Sequence, residues 1–141
     1  MLSMRKKKGK QLNPGRVVMP VGNPSPPEPH EIDAAWILAR HFQCTVEFLT
    51  PIDDYKRKTA DIVMLGVAWE MKCPMGASKS TIRNQFRRAS RQSKCIIIDT
   101  RRTTLEYSSI EKEMLFQIKE RPYIRKVILI NKFGKVVEIQ T

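Results

Sequence analysis

Asp61, Glu70 and Lys72 are the residues whose types and spacing can do chemistry together in this chain. Glu70 and Lys72 lie two apart in the run VAWEMK (67–72), which meets a second strand-forming run, DIVML (61–65), at Gly66. Residues two apart in a strand share a face. Ala68, Glu70 and Lys72 therefore lie together, and Val67, Trp69 and Met71 form the opposite, core-facing side. The preceding run can be registered in two ways. A two-residue loop at Leu65-Gly66 puts Asp61 opposite Glu70, whereas a four-residue loop over 65–68 puts it opposite Lys72. Either even-length loop brings Asp61 to the face of Glu70 and Lys72, with facing Cβ atoms about 4.5–5.5 Å apart. An odd-length loop or a bulge would undo this.

Two carboxylates that close repel, and burying them costs several kcal/mol unless a cation compensates. A divalent metal with a taste for hard oxygen ligands is the natural compensator: Mg²⁺ first, with Mn²⁺ or Zn²⁺ as alternatives. Asp61 and Glu70, with the backbone carbonyl of Met71, are the expected ligands. Such a metal polarises a phosphoryl group, and Lys72 beside it can orient an attacking water or offset charge on the phosphate. The competing reading is a Glu70–Lys72 salt bridge on an exposed sheet edge, which is worth little energetically.

The elements that position these residues are legible in the patterning. Ile32, Ala35, Trp36 and Ala39 recur at helical spacing, predicting a helix over 30–42. TVEFL (45–49) is a short strand, and 50–59 a charged connecting loop. After the 61–65 and 67–72 strands, Pro74 and Gly76 stop the chain, and Ser78 or Ser80 can cap a helix over 79–94 with Ile82, Phe86 and Ala89 inward. CIIIDT (95–100) reads as a strand buried on both faces. A helix over 107–120 follows, with Ile110, Met114, Leu115 and Ile118 inward, then a closing hairpin of 126–131 and 136–140 around Phe133-Gly134. The order α-β-β-β-α-β-α-β-β predicts an α/β sandwich, a central mixed β-sheet flanked by helices.

Charge supports a polyanionic partner. The 141 residues hold 26 Lys+Arg against 14 Asp+Glu, a formal +12. Residues 1–30 contribute +5 and five of the nine prolines fall at 20–29, so 1–29 reads as a basic, Pro-rich tail or lead-in to a domain over 30–141. The domain keeps +7, and residues 72–102 hold nine Lys/Arg with Asp99 as their one acid. On the 79–94 helix, Lys79, Arg83, Arg87 and Arg91 follow one another at four-residue spacing, a stripe suited to phosphates, with Gln85 and Arg88 beside it. Tyr55, among Lys56, Arg57 and Lys58, can stack on an unpaired base. Arg101 and Arg102 would complete a basic rim. For each of these the alternative is a solvated surface. Cys44, Cys73 and Cys95 form no CxxC pair and, with His30 and His41, lack the spacing of a zinc site. No apolar run is long enough for a membrane span, and no apolar h-region follows the basic start, so no secretory signal is expected.

Asp61, eight residues, then Glu70-Met71-Lys72 resembles the PD-(D/E)XK nuclease superfamily, whose signature is an acid, a gap and (D/E)xK on a hairpin. The resemblance implies a restriction-endonuclease-like sandwich and an acid on the first helix, a position that Glu31 in HEIDAAWILA matches. The chain more closely resembles the tRNase domains at the C-termini of bacterial contact-dependent growth-inhibition toxins. That likeness runs from about Glu31 to the end, through KTADIVMLGVAWEMKCP and the helix STIRNQFRRASRQ leading into CIIID. It departs upstream, where those domains end very large surface proteins and this chain has a basic, Pro-rich lead-in. The resemblance implies a metal-dependent endonuclease acting on tRNA, a cognate immunity protein, and delivery into the cytoplasm of a target bacterium. The rival readings are a DNA endonuclease of the same fold and a basic RNA-binding protein without catalysis.

Overall fold

The computed structural model describes residues 14–20, 22, 26–50 and 60–139. One seven-stranded mixed sheet organises them, with strands adjacent in chain order. The strands are β1 (Arg16–Val18), β2 (Thr45–Phe48), β3 (Ile62–Met64), β4 (Val67–Lys72), β5 (Cys95–Asp99), β6 (Lys126–Ile130) and β7 (Val136–Ile139); the helices are α1 (Pro29–Phe42), α2 (Thr81–Ala89) and α3 (Tyr107–Glu120). β1 and β2 are parallel, β2–β3–β4 form an antiparallel meander, β4–β5–β6 run parallel, and β7 returns antiparallel.

The parallel stretch explains the layers. Parallel strands need crossovers, and α2 and α3 supply them between β4, β5 and β6. Both lie on one face of the sheet, packing Ile82, Phe86, Ala89, Ile110 and Met114 onto Ile96, Ile98, Val127 and Leu129. α1 covers the other face, where Ala34, Ala35, Leu38 and Ala39 meet Val46, Ile62, Trp69, Ile97 and Ile128. β5, between the two layers, is buried at all five positions, as its unbroken apolar run requires.

The predicted element order holds throughout, with three differences. β1 is an added strand inside the lead-in: its parallel pairing with β2 depends on Gly15, at φ +97°, where a Cβ would sit 2.6 Å from the Ala39 carbonyl oxygen. α2 spans Thr81–Ala89 rather than 79–94, so Lys79 and Arg91 stand in the turns flanking it. In α3, Leu115 is half exposed and Gln117 takes the buried position instead. Among the described residues no helix is long and apolar enough to cross a membrane.

Candidate active site

The β3–β4 hairpin turns through Leu65 at φ +55° and Gly66 at φ +73°, the two left-handed residues of a type I′ turn. Met64 pairs with Val67 and Ile62 with Trp69, the two-residue loop of the alternatives above. Asp61 is the next residue outward, beyond the last paired position, and its carboxyl meets that of Glu70. Its backbone knits three strands together, its N–H donating to the Trp69 carbonyl and its own carbonyl accepting from Leu49, both at 2.9 Å. Its Oδ2 accepts the Met71 N–H at 2.8 Å. The carboxylate thus replaces a backbone acceptor at the end of the hairpin and is held rigidly by it.

On β4 the faces divide as the alternation requires. Trp69 and Met71 are buried in the α1-side core, with the Trp69 indole N–H donating to the Met64 carbonyl at 3.2 Å. Met71 can therefore offer a cation only its backbone carbonyl. Glu70 and Lys72 lie on the other face, joined by a 3.0 Å ion pair between Glu70 Oε2 and Lys72 Nζ. Burial is unequal: the Glu70 side chain is 4% exposed and that of Lys72 24%. Among the described residues Glu70 Oε1 is buried and receives no N–H or hydroxyl donor, and the carboxyl's other polar neighbour is the carboxyl of Asp61.

An acid so placed resists ionising. Burial, and then the charge of Asp61, push the Glu70 carboxyl up to about 8, Lys72 opposing them. Asp61 is also raised, by burial first, while the Met71 N–H, the Glu70 hydrogen bond and Lys72 pull it back. Buried and crowded against each other, the two carboxyl groups thus give up their protons less readily than free ones do. The orphaned oxygen and the retained proton mark a place where a cation would be favourable. Two carboxyl groups and a main-chain carbonyl are a hard-oxygen donor set that fits Mg²⁺. Among the described residues no three His, Cys, Asp or Glu side chains converge as a ready-made metal cluster, so substrate and water oxygens would complete the shell.

Glu31 lies in the first turn of α1, where its Oε1 accepts the Glu28 N–H at 2.8 Å, one half of a capping box. Its charge still reaches Asp61 and adds to the raising of that carboxyl. Arg83, Arg87 and Arg88 are exposed on α2, as are Lys79 and Arg91 beside it, and none has an acidic partner among the described residues. Gln85 is half-buried. Of the predicted stripe, Arg83 and Arg87 stand on α2, which packs over β4 and β5, and Lys79 and Arg91 in the turns that flank it. Tyr55 and its basic neighbours lie outside the described residues.

Arg101 departs from the basic-rim expectation. It grips the fully buried Asp99 through two bonds, Nε to Oδ1 at 2.9 Å and Nη2 to Oδ2 at 2.7 Å, and Nη2 also donates to the His30 carbonyl at 2.9 Å. This bidentate clamp ties the first turn of α1, which carries Glu31, to the end of β5. Its one sequence signal is that Asp99 is the sole acid in 72–102, two residues before an arginine. A second anchor, Ser93 Oγ donating to the Ala68 carbonyl at 2.9 Å, pins the chain after α2 to β4. Cys73 is half-buried beside Asp99, and burial raises its thiol above the ordinary range, which disfavours the thiolate.

No curated protein matches the chain. Among solved structures, the CdiA-CT/CdiI toxin and immunity complex from Burkholderia pseudomallei matches with a TM-score of 0.63 at 20% identity, covering 90% of this chain and 100% of that one. At that identity the likeness bears on the fold. The family model of the contact-dependent growth inhibition CdiA C-terminal domain matches residues 58–136, more than half of the chain and all of the Asp61–Glu70–Lys72 hairpin. The chain thus belongs to the CdiA C-terminal domain family of contact-dependent growth-inhibition toxins.

Proposed function

We propose that this toxin domain is a metal-dependent endonuclease of the PD-(D/E)XK type, with a restriction-endonuclease-like sandwich over residues 30–141 and RNA, foremost tRNA, as its substrate. The observation that carries the reading is the buried Glu70 carboxyl, one oxygen orphaned, crowded by Asp61 and paired with Lys72 at 3.0 Å. Burying two adjacent acids costs desolvation and mutual repulsion that Lys72 offsets only in part, and a bound cation would offset the rest.

Asp61, Glu70 and the Met71 carbonyl would hold a divalent ion, Mg²⁺ by the hardness of the donors, with Mn²⁺ or Zn²⁺ as substitutes. When bound, the ion supplies Lewis-acid polarisation of the scissile phosphate and stabilises the charge that builds there. The rest falls to the chain's own groups. Asp61 is oriented by the Met71 N–H, so its free oxygen has a fixed direction. Lys72, held beside Glu70 and partly exposed along its side chain, would orient the attacking water or meet the phosphate. Glu31 adds negative potential from α1 and, by resemblance, assists the metal site. Lys79, Arg83, Arg87, Arg88 and Arg91, with Gln85, present a phosphate-binding flank on and beside α2, and Tyr55 is a base-stacking candidate.

A nuclease toxin must be restrained in the cell that makes it. The similar Burkholderia fold is a toxin and immunity complex, and we infer that this chain too has a cognate immunity protein, acidic where it meets the basic flank. Its site of action would be the cytoplasm of the target bacterium.

The test is cleavage of total tRNA by the purified protein with Mg²⁺ and with EDTA, beside Asp61→Ala and Glu70→Ala. Discrete fragments that require metal and both acids are expected. DNA nicked while tRNA stays whole would instead identify a DNA endonuclease. Neither nucleic acid cut, with binding unchanged in Asp61→Ala, would leave a non-catalytic RNA-binding protein.

A further inference from the structure

Phe133, at the turn between β6 and β7, is 90% exposed, more than any other large apolar side chain described. Exposed aromatics standing alone are ordinary, but this one stands over a cavity of about 390 Å³ between that turn and the start of α3. The cavity floor is apolar, made by Leu105, Ile110 and Val137, and a second aromatic, Tyr107, stands on its rim. Lys132 and Lys135 line it and no acid does. Neither lysine has an ion-pair partner among the described residues.

The turn that carries Phe133 is built rather than loose. Asn131 Oδ1 accepts the backbone N–H groups of both Phe133 and Lys135 at 2.9 Å, and Gly134 closes the turn at φ +82°. The aromatic is therefore presented on a fixed platform. An apolar floor, two aromatic edges and two unpaired cations complement one chemistry above others, a planar heterocycle carrying a phosphate.

Position favours the same ligand. β4, β5 and β6 are parallel, with Lys72 level with Ile98 and Ile98 level with Leu129. The pocket, beyond the ends of β5 and β6, thus opens at the same carboxyl end of the sheet as Lys72, two strands or roughly 10 Å across. A second hollow, of about 540 Å³, lies between the start of α2 and α3, lined by Lys79, Ile82, Lys112, Glu113 and Phe116, and shares Leu105 with the pocket.

We propose that this pocket is a stacking subsite for an unpaired base of an RNA strand, with Phe133 and Tyr107 against the base and Lys132 and Lys135 on the adjoining phosphates. The proposal rests on the reading of the chain as acting on RNA, and it adds that the substrate must offer a single-stranded base a short way from the cleaved bond.

Binding without cleavage tests it. The probe is a fluorescein-labelled 12-nucleotide single-stranded RNA, beside the same sequence as a blunt duplex, in EDTA at about 0.1 M salt. Phe133→Ala is expected to bind the single strand about five- to tenfold more weakly and the duplex almost unchanged, since one base–aromatic stack is lost. Phe133→Trp is expected to keep affinity and to lose indole emission on adding the single strand. Lys132→Gln with Lys135→Gln should flatten the salt dependence. Phe133 is on the surface, so an unchanged melting temperature will certify each fold. Single-strand binding by Phe133→Ala within twofold of wild type, or equal weakening for strand and duplex, overturns the subsite; undiminished binding would hand the patch to a protein partner. Because no cleavage is measured, loss of the stacking effect sinks the subsite alone, and uncut tRNA in the earlier experiment sinks the nuclease alone.

Discussion

Glu70 holds a proton where an ordinary glutamate has lost it, and this has a consequence for stability. Between its ordinary value of 4.5 and its folded value of about 8, the folded chain binds more protons than the unfolded one. Stability therefore falls as pH rises through that window, and levels off above about 8, once both states are ionised. Asp61, also raised, adds in the same direction at the lower end. In EDTA the melting temperature should decline from pH 5 to pH 8, and Glu70→Gln should remove most of that slope while abolishing cleavage. Scanning calorimetry of both proteins checks it; a flat wild-type profile would mean that Glu70 ionises freely. This part of the site was half legible in the sequence. Alternation along VAWEMK placed Glu70 beside Lys72, but how deep each side chain lies depends on α2 and α3 packing over the sheet.

At the scale of elements, the active-site hairpin is local and the anchoring of α1 is not. β3, the Leu65-Gly66 turn and β4 are contiguous, so strand alternation and loop parity sufficed for the register as far as Ile62 against Trp69, one residue short of Asp61. The clamp from Arg101 to Asp99 and the His30 carbonyl joins residues 71 apart, and nothing in local spacing announces it; the arginine reads as one more basic residue. Arg101→Ala would leave the Asp99 carboxylate buried without its partner, and a loss of roughly 3–5 kcal/mol is expected, measured by urea unfolding. Asp99→Asn, which removes the charge and keeps the shape, should cost less. If Arg101→Ala costs under about 1 kcal/mol, the clamp is not what holds the start of α1. The 79–94 helix shows the opposite case: its apolar stripe of Ile82, Phe86 and Ala89 was plain, but its ends were set by the turn at 90–92 and by Ser93 reaching back to Ala68.

For the whole molecule the relevant quantity is the field. With +12 on 141 residues, and no acidic partner for the α2 flank among the described residues, binding to RNA should be steep in salt. Arg83→Gln with Arg87→Gln should weaken RNA binding across sequences and make the slope of log K against log salt shallower by about 1 to 2, read by anisotropy titrations at several ionic strengths. An unchanged slope would move the phosphate path off α2.

What the sequence determined by itself was everything carried by short-range periodicity. That includes the order of helices and strands from residue 30 onward, the two faces of β4, the parity that sets Ile62 against Trp69, and the excess of positive charge. These follow from side chains alternating along a strand or recurring along a helix, which neighbours in the chain dictate. Tertiary structure decided what depends on distant segments meeting. The lead-in adds β1 because Gly15 lets it approach α1, Asp99 and Arg101 lock α1 to β5, Leu115 is left in solvent, and Phe133 stands over a cavity formed with α3. Above all, burial converts Glu70 from half of a surface ion pair into a proton-holding acid. Desolvation is a property of the packed layers, and no spacing along the chain encodes it.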